Sequence, residues 1–226
     1  MKKHVFKYLI EFLVVVSGII ISLNIEKGNA LDYKNELKNQ SLKRLMKNID
    51  QDIRDSKLNK KIHLNGIRFS ERILNNHESL FDSDKDSLGY YLSVISYSES
   101  VFVDNQEEYL TLRNSGFLEL IDDDELVRLL QEKYSKHSFY KTIENYIRAQ
   151  NNIITNSVLE KTSYISSGSN NFFGNYGNYE SKQKLSNYEL NAIQRKKVFC
   201  EFYIAQINIG LESDSLLISR IKKEIE

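Results

Sequence analysis

The most apolar stretch of the chain is residues 8–25, which read YLIEFLVVVSGIIISLNI. Four positions in it are polar: Glu11, Ser17, Ser22 and Asn24. At ~1.5 Å per residue a helix over this range is about 27 Å long, close to the ~30 Å hydrocarbon core of a bilayer. The pattern predicts an uncleaved transmembrane helix. Two alternatives remain open, a signal peptide cleaved near the small residues at 28–30 and a buried core helix.

Charged residues on either side of this run indicate its orientation. Three lysines precede it, Lys2, Lys3 and Lys7. The charged residues that follow it are mixed in sign: Glu26, Lys27, Asp32 and Lys34. The positive-inside rule therefore makes residues 1–7 a cytoplasmic tail and residues 26–226 an extracytoplasmic domain. The predicted location is a bacterial inner membrane, which the chain crosses once, with most of the chain in the periplasm.

One face of the predicted span carries polar and small residues. Glu11, Gly18 and Ser22 share it, because steps of 7 and 11 residues return close to the same direction on a helix. Gly18 and Ser22 form a small-x-x-x-small pair, which lets a second helix approach closely. Three roles are open for Glu11: pairing with a lysine or lipid headgroup, a polar contact with a partner helix, or transport of a proton or ion.

The rest of the chain shows helical periodicity and contains no proline, so long uninterrupted helices are possible. The predicted helices run from the span to about Ile62, with an end near Asn65-Gly66, then over 66–77, 87–97, a short stretch between Asp104 and Gly116, 122–161 as the longest, and 186–225. Short connections favour antiparallel neighbours. The predicted fold class is therefore all-α, an N-terminal transmembrane helix followed by an antiparallel helical bundle.

Apolar stripes on these helices predict the core. The first helix contributes Leu31, Leu42, Leu45, Met46, Ile49 and Ile53. The longest contributes Leu126, Leu129, Leu130, Tyr134, Phe139, Ile143, Tyr146 and Ile147, and the last contributes Ile193, Phe199, Phe202, Tyr203, Ile207, Leu211 and Leu217. The one cysteine, Cys200, lies within the last stripe and is interpreted as a small core residue, with a reactive thiol as the alternative.

Two acidic clusters are interpreted as helix caps rather than metal sites. Asp82, Asp84 and Asp86 have the spacing of an EF-hand start, but serines occupy positions 87 and 93, where such a loop needs glycine and a bidentate glutamate. The run 122–125, Asp-Asp-Asp-Glu, precedes a long apolar stripe, and acidic side chains there accept hydrogen bonds from the free amides of a helix start.

An unusual loop is predicted over residues 165–183. It is rich in glycine, asparagine and serine, yet it also contains four aromatic residues: Phe172, Phe173, Tyr176 and Tyr179. Flexible linkers seldom carry such side chains. Packing back onto the bundle, disorder and a contact surface for a partner all remain open for this loop.

Charge and motif content argue against several classes of function. Lys plus Arg and Asp plus Glu both number 31, so the chain has no net charge and lacks the basic excess of a nucleic-acid-binding domain. The four histidines are not at metal-ligand spacing, and no phosphate-binding or nucleophile motif is present. We therefore predict a protein that is not an enzyme, with no catalytic residue, cofactor or metal.

Two blocks of sequence resemble an uncharacterised family of bacterial single-span inner-membrane proteins. One is KYLIEFLVVVSGIIISLNIEKGN, and the other is EEYLTLRNSGFLELIDDDELVRLLQEKY, with a Leu-x-x-Ser-Gly turn before an acidic helix start. The matching positions in the second block are Leu112, Ser115, Gly116, Leu120, Ile121, Glu125, Leu126 and Tyr134. Residues 24–27, Asn-Ile-Glu-Lys, depart from the family's usual Asn and Trp run. The resemblance implies the single-span topology and no activity.

The function predicted from these features is that of a membrane-anchored helical interaction or scaffold protein, a subunit of a membrane complex. Its predicted partners are membrane lipid and either another membrane protein or a second copy of the chain. Two alternatives are a stator-like accessory subunit that uses Glu11 in an ion-coupled complex, and an extracytoplasmic sensor with a ligand in the bundle.

Overall fold

Six α-helices and one 3-10 helix make up the computed structural model, which describes residues 2–103, 105–163 and 177–226, without the side chains of residues 2–6 and 9. The α-helices are α1 (Lys2–Ser83), α2 (Lys85–Tyr97), α3 (Glu107–Asn114), α4 (Asp124–Ser135), α5 (His137–Lys161) and α6 (Asn187–Ile225). The 3-10 helix, Phe117–Leu120, follows α3. Within the described residues the one β-type contact is an isolated antiparallel bridge between Thr162 and Tyr179. The all-α fold class is confirmed.

These helices form four antiparallel legs. The first is α1, and the second returns beside it as α2, the non-helical residues 98–103 and α3. The third is α4 followed by α5, and α6 returns between α5 and α1. At one end, here called the near end, Lys38 of α1 pairs with Glu224 of α6, and at the far end Ile73 and Ile193 share a core cluster. The predicted antiparallel bundle is confirmed.

α1 is longer than the sequence predicts, because Gly66 does not end it. A Cβ atom added at Gly66 would lie 2.9 Å from the Cβ of Ser98, where the second leg crosses α1. The glycine therefore allows close packing of two legs instead of capping a helix. α1 ends at Ser83, and the Asp84 side chain accepts a hydrogen bond from the Ser87 amide at the start of α2, as the interpretation of this acidic cluster as a cap requires.

The predicted long helix 122–161 is two helices. Asp123 caps the start of α4, where it accepts hydrogen bonds from the amides of Glu125 and Leu126. At the other end of α4, the Lys136 amide donates to the carbonyls of both Glu132 and Lys133, each at 3.2 Å, and α5 starts at the next residue. The predicted cap is confirmed, and the predicted continuity through residue 136 is wrong.

The ends of α3 and α6 follow local signals in the sequence. Gly116, just past α3, has a left-handed φ of 72°, a conformation that glycine adopts without steric strain. Ser186 and Glu189 form a capping box at the start of α6, in which each side chain accepts from the other residue's amide. Both helix ends match the sequence prediction.

Three apolar clusters lie along the bundle. The near-end cluster joins α1, α3, α4 and α6, and its members from α1 are Leu42, Leu45 and Ile49. A middle cluster joins α5 to α6 through Ile143, Ile147, Cys200, Tyr203 and Ile207. The far-end cluster joins α1, α2, α5 and α6, with Phe69, Ile73, Leu88, Leu92, Ile95, Ile154 and Ile193 among its members. The interpretation of Cys200 as a buried core residue is confirmed.

Residues 7–34, here called the N-terminal segment, continue α1 beyond the near end of the bundle. Every described side chain in it is exposed except that of Val16, which is partly exposed. Leu31 is 49% exposed, so its predicted place in the core is wrong. Across the described residues, hydropathy and length together qualify none of the helices as a membrane span.

Candidate interaction surfaces

Apolar side chains cover all sides of residues 10–25 in the N-terminal segment. Consecutive residues 12–15 are each more than half exposed, and so are residues 19–21. Neighbouring positions on an α-helix differ by about 100°, so such runs point in every direction around the axis. A helix that packs on one neighbour needs an apolar stripe, whereas a helix that is apolar all round is surrounded by apolar material.

The predicted packing face lies on this segment. Glu11 forms an exposed ion pair with Lys7, with 3.8 Å between the carboxylate oxygen and the ammonium nitrogen. A Cβ atom at Gly18 would meet nothing within 4 Å, and Ser22 is exposed. The structure thus brings Glu11 together with Lys7, one of the three roles proposed for this carboxylate, and the helix-packing role of the face stays a prediction.

Tyr179, one of the four aromatic residues of the predicted loop, packs back onto the bundle, which is one of the three roles left open for this loop. It is 2% exposed, its ring packs edge-on against Phe81 with centroids 5.8 Å apart, and its hydroxyl donates to the Gln183 carbonyl at 2.7 Å. Burial raises its pKa to about 12. Tyr179 therefore belongs to the far-end core and not to a partner surface. Phe172, Phe173 and Tyr176 lie outside the described residues.

Two glycines explain why Tyr179 reaches the core. A Cβ atom at Gly89 of α2 would lie 2.3 Å from the Gly177 carbonyl oxygen, and one at Gly177 would lie 2.4 Å from the Ser163 carbonyl oxygen. The backbone before Tyr179 can therefore lie directly on α2. Sequence reasoning missed this contact because the two glycines are far apart in the chain.

A second exposed apolar surface lies along the groove between α5 and α6, here called the α5–α6 face. Its members are Phe139, Thr142, Tyr146 and Ala149 on α5 and Val198, Phe199, Phe202, Ala205 and Ile209 on α6. Phe139 is 43% exposed, Tyr146 54% and Phe202 45%, so their predicted place in the core is wrong. The rings pair with each other across the groove: Phe139 lies edge-on to Phe202 with centroids 6.0 Å apart, and Tyr146 stacks on Phe199 at 5.3 Å.

Beneath this face, the middle of the bundle contains a buried polar layer centred on His63. One ring nitrogen of His63 lies 3.3 Å from the Cys200 sulfur and the other lies 2.9 Å from the Ser100 hydroxyl oxygen. Burial, together with the nearby Lys196 ammonium, lowers the pKa of His63 to about 4. Burial also raises the pKa of Cys200 to about 12. At neutral pH both groups are therefore uncharged, and the thiol is a poor nucleophile.

Lys196 of α6 ties the end of α2 to α5. Its ammonium donates to the Ile95 carbonyl at 2.5 Å and to the Asn151 side-chain oxygen. Asn151 in turn donates to the Ser96 carbonyl at 3.0 Å and to Glu99 at 2.7 Å. Burial lowers the pKa of Lys196 to about 8. Asn151 satisfies the Ser96 carbonyl at the end of α2. Lys196 gives the Ile95 carbonyl a second donor besides the Ser98 amide.

The non-helical residues 98–103 are held by side chains of α5 and α6. The Glu144 carboxylate accepts from the Phe102 amide at 2.5 Å and from the Tyr203 hydroxyl at 2.7 Å. Lys141 donates to the Phe102 carbonyl at 2.5 Å. Buried backbone groups need such partners when no helix supplies them. The layer thus replaces the missing helical hydrogen bonds of the second leg.

A buried ion cluster links three legs of the bundle. The Lys133 ammonium lies 2.9 Å from a carboxylate oxygen of Asp52 and 2.9 Å from one of Asp214. Burial raises the pKa of both aspartates, and the Lys133 charge acts in the opposite direction. Lys133 and Asp214 also line a cavity of about 30 Å³ with Ser56 and Tyr140, which is room for about one water molecule.

These polar groups do not form a site with evident chemistry. His63 and Cys200 are only two potential metal ligands, and no group of three or more His, Cys, Asp or Glu side chains suited to a metal ion occurs among the described residues. The two exposed apolar surfaces, the N-terminal segment and the α5–α6 face, are the features that internal packing does not account for. They are the candidate functional sites.

Comparisons with known proteins indicate neither a family nor a functional class for the chain. No protein-family model, curated protein or solved structure matches the chain. The resemblance to bacterial single-span membrane proteins stays a prediction.

Proposed function

We propose that this chain is a membrane-tethered helical interaction protein. In this proposal residues 8–25 cross a bacterial inner membrane once, the N-terminus lies in the cytoplasm, and the bundle lies in the periplasm, where it serves as a subunit of a membrane complex. The observation that carries the proposal is the exposed apolar surface on all sides of residues 10–25 in the N-terminal segment. Lipid surrounds a helix on all sides, so it suits such a surface.

The span is proposed although hydropathy and length qualify no helix of the described residues as a membrane span. The position of Glu11 favours tolerance in a bilayer, because it lies about one turn from the end of the run and pairs with Lys7. A partner helix would cover one stripe of the segment and leave the opposite side in water, since exposed residues such as Leu13 and Val15 differ in direction by about 200°. The distribution of apolar residues therefore favours lipid as the main partner.

Membrane fractionation tests the proposal most directly. The full chain with an epitope at each end is expressed in bacteria, and the membranes are washed with alkaline carbonate, which removes peripheral proteins. We expect the chain to stay in the membrane and lose only its C-terminal epitope when protease is added to spheroplasts. Release by carbonate, or loss of the N-terminal epitope to protease, would overturn the proposal.

A matched pair of variants separates the segment from the bundle. Val15→Lys with Ile20→Lys places two charges in the predicted span, where each costs about 2.5–3.5 kcal/mol near its centre. Leu58→Lys with Leu64→Lys makes the same change at exposed apolar positions of α1 within the bundle. We expect the first pair to abolish membrane retention and the second to leave it unchanged.

Glu11→Gln distinguishes the interaction role from the stator-like alternative. If Glu11 carries an ion or proton, the neutral amide abolishes the activity of the complex while the chain still assembles. If Glu11 only contacts a partner helix, the substitution weakens assembly. Co-purification of membrane partners in mild detergent, measured for both forms, reports assembly.

A further inference from the structure

The nine members of the α5–α6 face are uncharged, and the α6 stripe ends on either side at a charged, exposed residue, Arg195 and Glu212. Besides three aromatic rings that are about half exposed, it exposes Val198 (48%) and Ile209 (50%). Ala149 and Ala205 are exposed between these larger side chains. A solvated helix surface is normally rich in charged residues. The members of the face are therefore poor in charge and rich in aromatic rings, which is the composition of the buried centre of a protein interface.

Spacing on both helices indicates that the partner is helical. On α5 the exposed members are residues 139, 142, 146 and 149, with steps of 3 and 4, and on α6 they are 198, 202, 205 and 209. This is the spacing by which one helix packs on another through knobs and holes. Each helix already has a separate inward stripe, which includes Ile143 on α5 and Tyr203 on α6. The outward stripes thus offer places for two further helices.

We infer that a second copy of this chain covers the face, so that α5 and α6 of two protomers form a four-helix interface around a two-fold axis. A two-fold axis brings the same patch together from both protomers, which requires that one surface hold both projecting and recessed side chains. The α5–α6 face does so: Phe139, Tyr146 and Phe202 project, and the two alanines leave recesses. Its members carry no charge, and the charged residues Arg195 and Glu212 lie at the two ends of the α6 stripe.

Area supports the same assignment. A buried aromatic side chain contributes ~150–250 Å² of contact surface, and a standard interface needs about 800 Å² from each partner. The exposed halves of the three rings offer roughly 225–375 Å². With the aliphatic residues, the alanines, Thr142 and Phe199, the face reaches the lower end of the standard range, about 600 Å² from each partner. A ligand-sized partner would leave most of the face in water.

The orientation of such a dimer agrees with the proposed membrane tether. α5 and α6 lie side by side and follow the direction of α1, one parallel and one antiparallel to it. The face between them therefore runs along the bundle. A two-fold axis parallel to the bundle leaves both N-terminal segments pointing in the same direction. The inference deepens the proposed function by naming the partner, and it rests on the membrane tether only for this orientation.

The test is the mass of the full chain in mild detergent over a concentration series, measured by light scattering. Ala205→Arg fills a recess without removing a contact of the folded protomer, and Phe202→Glu places a charge on the face. Leu58→Glu is the matched control, since Leu58 is 56% exposed on α1. Thermal unfolding of each variant verifies that the protomer remains folded.

We expect a dimer for the wild type and for Leu58→Glu, and a dimer dissociation constant raised by at least ~30-fold in Ala205→Arg, the effect of losing one hot-spot contact. A wild type that is monomeric at every concentration would overturn the inference and leave the face to another protein. A dimer that survives both substitutions would overturn it as well. The Val15→Lys, Ile20→Lys variant should still dimerise, so failure of the tether and failure of the dimer are distinguishable.

Discussion

Residues 7–34 and residues 35–83 belong to one uninterrupted helix, yet their apolar side chains have opposite surroundings. Leu23 is 49% exposed, whereas Leu45 is fully buried against α3, α4 and α6. Residues 10–25 of the first region are apolar on all sides, and the second region is apolar on one side, with charged residues on the other. The absence of proline permits the continuity of α1, while the distribution of side chains around its axis determines what each part contacts.

Polar residues differ between the two regions in the same way. Glu11 in the first region is exposed and pairs only with Lys7, four residues away. In the second region Asp52 and His63 are buried and contact residues from other legs. Buried polar groups must find specific partners, whereas exposed ones need none. The second region should thus be sensitive to single substitutions that the first tolerates.

The largest expected effect comes from Lys133→Met, which leaves Asp52 and Asp214 buried without their cation. We expect a loss of about 3–5 kcal/mol in the free energy of unfolding near neutral pH, measured by urea titration in mild detergent. Burial already raises the pKa of both aspartates, so protonation on acidification removes the uncompensated charge. The deficit should therefore shrink as the pH falls.

Arg54→Met is the control for this prediction. Arg54 pairs with Asp50 on the exposed side of α1, the helix that carries Asp52 on its buried side. Exposed ion pairs contribute about 0–1 kcal/mol. Equal effects of the two substitutions would contradict the distinction between the buried and exposed faces of α1.

Leu45→Ala and Leu23→Ala compare the same change in the two regions. The first removes a fully buried side chain and should reduce the free energy of unfolding of the bundle by about 2–5 kcal/mol. The second should change it by less than ~0.5 kcal/mol, since Leu23 contacts no other leg. A loss of bundle stability in Leu23→Ala would show that the N-terminal segment packs on the bundle.

Local signals in the sequence predicted the fold better than they predicted its surfaces. The cap at Asp123 and the start of the last helix near Ser186 could be predicted because a helix start depends on residues within one turn. Gly66 was misinterpreted because its role depends on Ser98, which local sequence does not place beside it. The same limit applies to Tyr179, whose burial depends on two distant glycines.

The α5–α6 face could not be predicted for a different reason. Its aromatic residues and the true core residues form two adjacent stripes on each helix, and periodicity alone does not show which stripe faces inward. Only the position of α6 beside α5 distinguishes Phe139 and Tyr146 from Ile143 and Ile147. For the N-terminal segment the sequence identified the apolar run, and the structure adds that the bundle does not cover it.

His63 should make the bundle sensitive to mild acid. Its pKa is lowered from 6.5 to about 4 by burial and by Lys196, so the unfolded chain binds a proton that the folded chain does not. Stability is therefore lost as the pH falls from about 6.5 towards about 4, by ~3 kcal/mol at most. Urea titrations at about pH 7 and about pH 5 measure this loss.

Two substitutions assign the loss to this side chain. His63→Gln should reduce the difference in stability between the two pH values, while His77→Gln, at a partly exposed position of the same helix, should leave it unchanged. An undiminished difference in His63→Gln would show that other groups control the response to acid.

The smallest effect concerns two glycines of α1. Alanine is the better helix former by about 0.5–1 kcal/mol, so a glycine with free space around it should tolerate the change. Gly28 has nothing within 4 Å of an added Cβ, but at Gly66 that atom would lie 2.9 Å from the Ser98 Cβ. Gly66→Ala should therefore destabilise the bundle by about 1–3 kcal/mol, and Gly28→Ala should not. If thermal unfolding shows both variants at or above wild-type stability, the packing of the second leg does not depend on close approach at Gly66. The glycine at this position would then need another explanation.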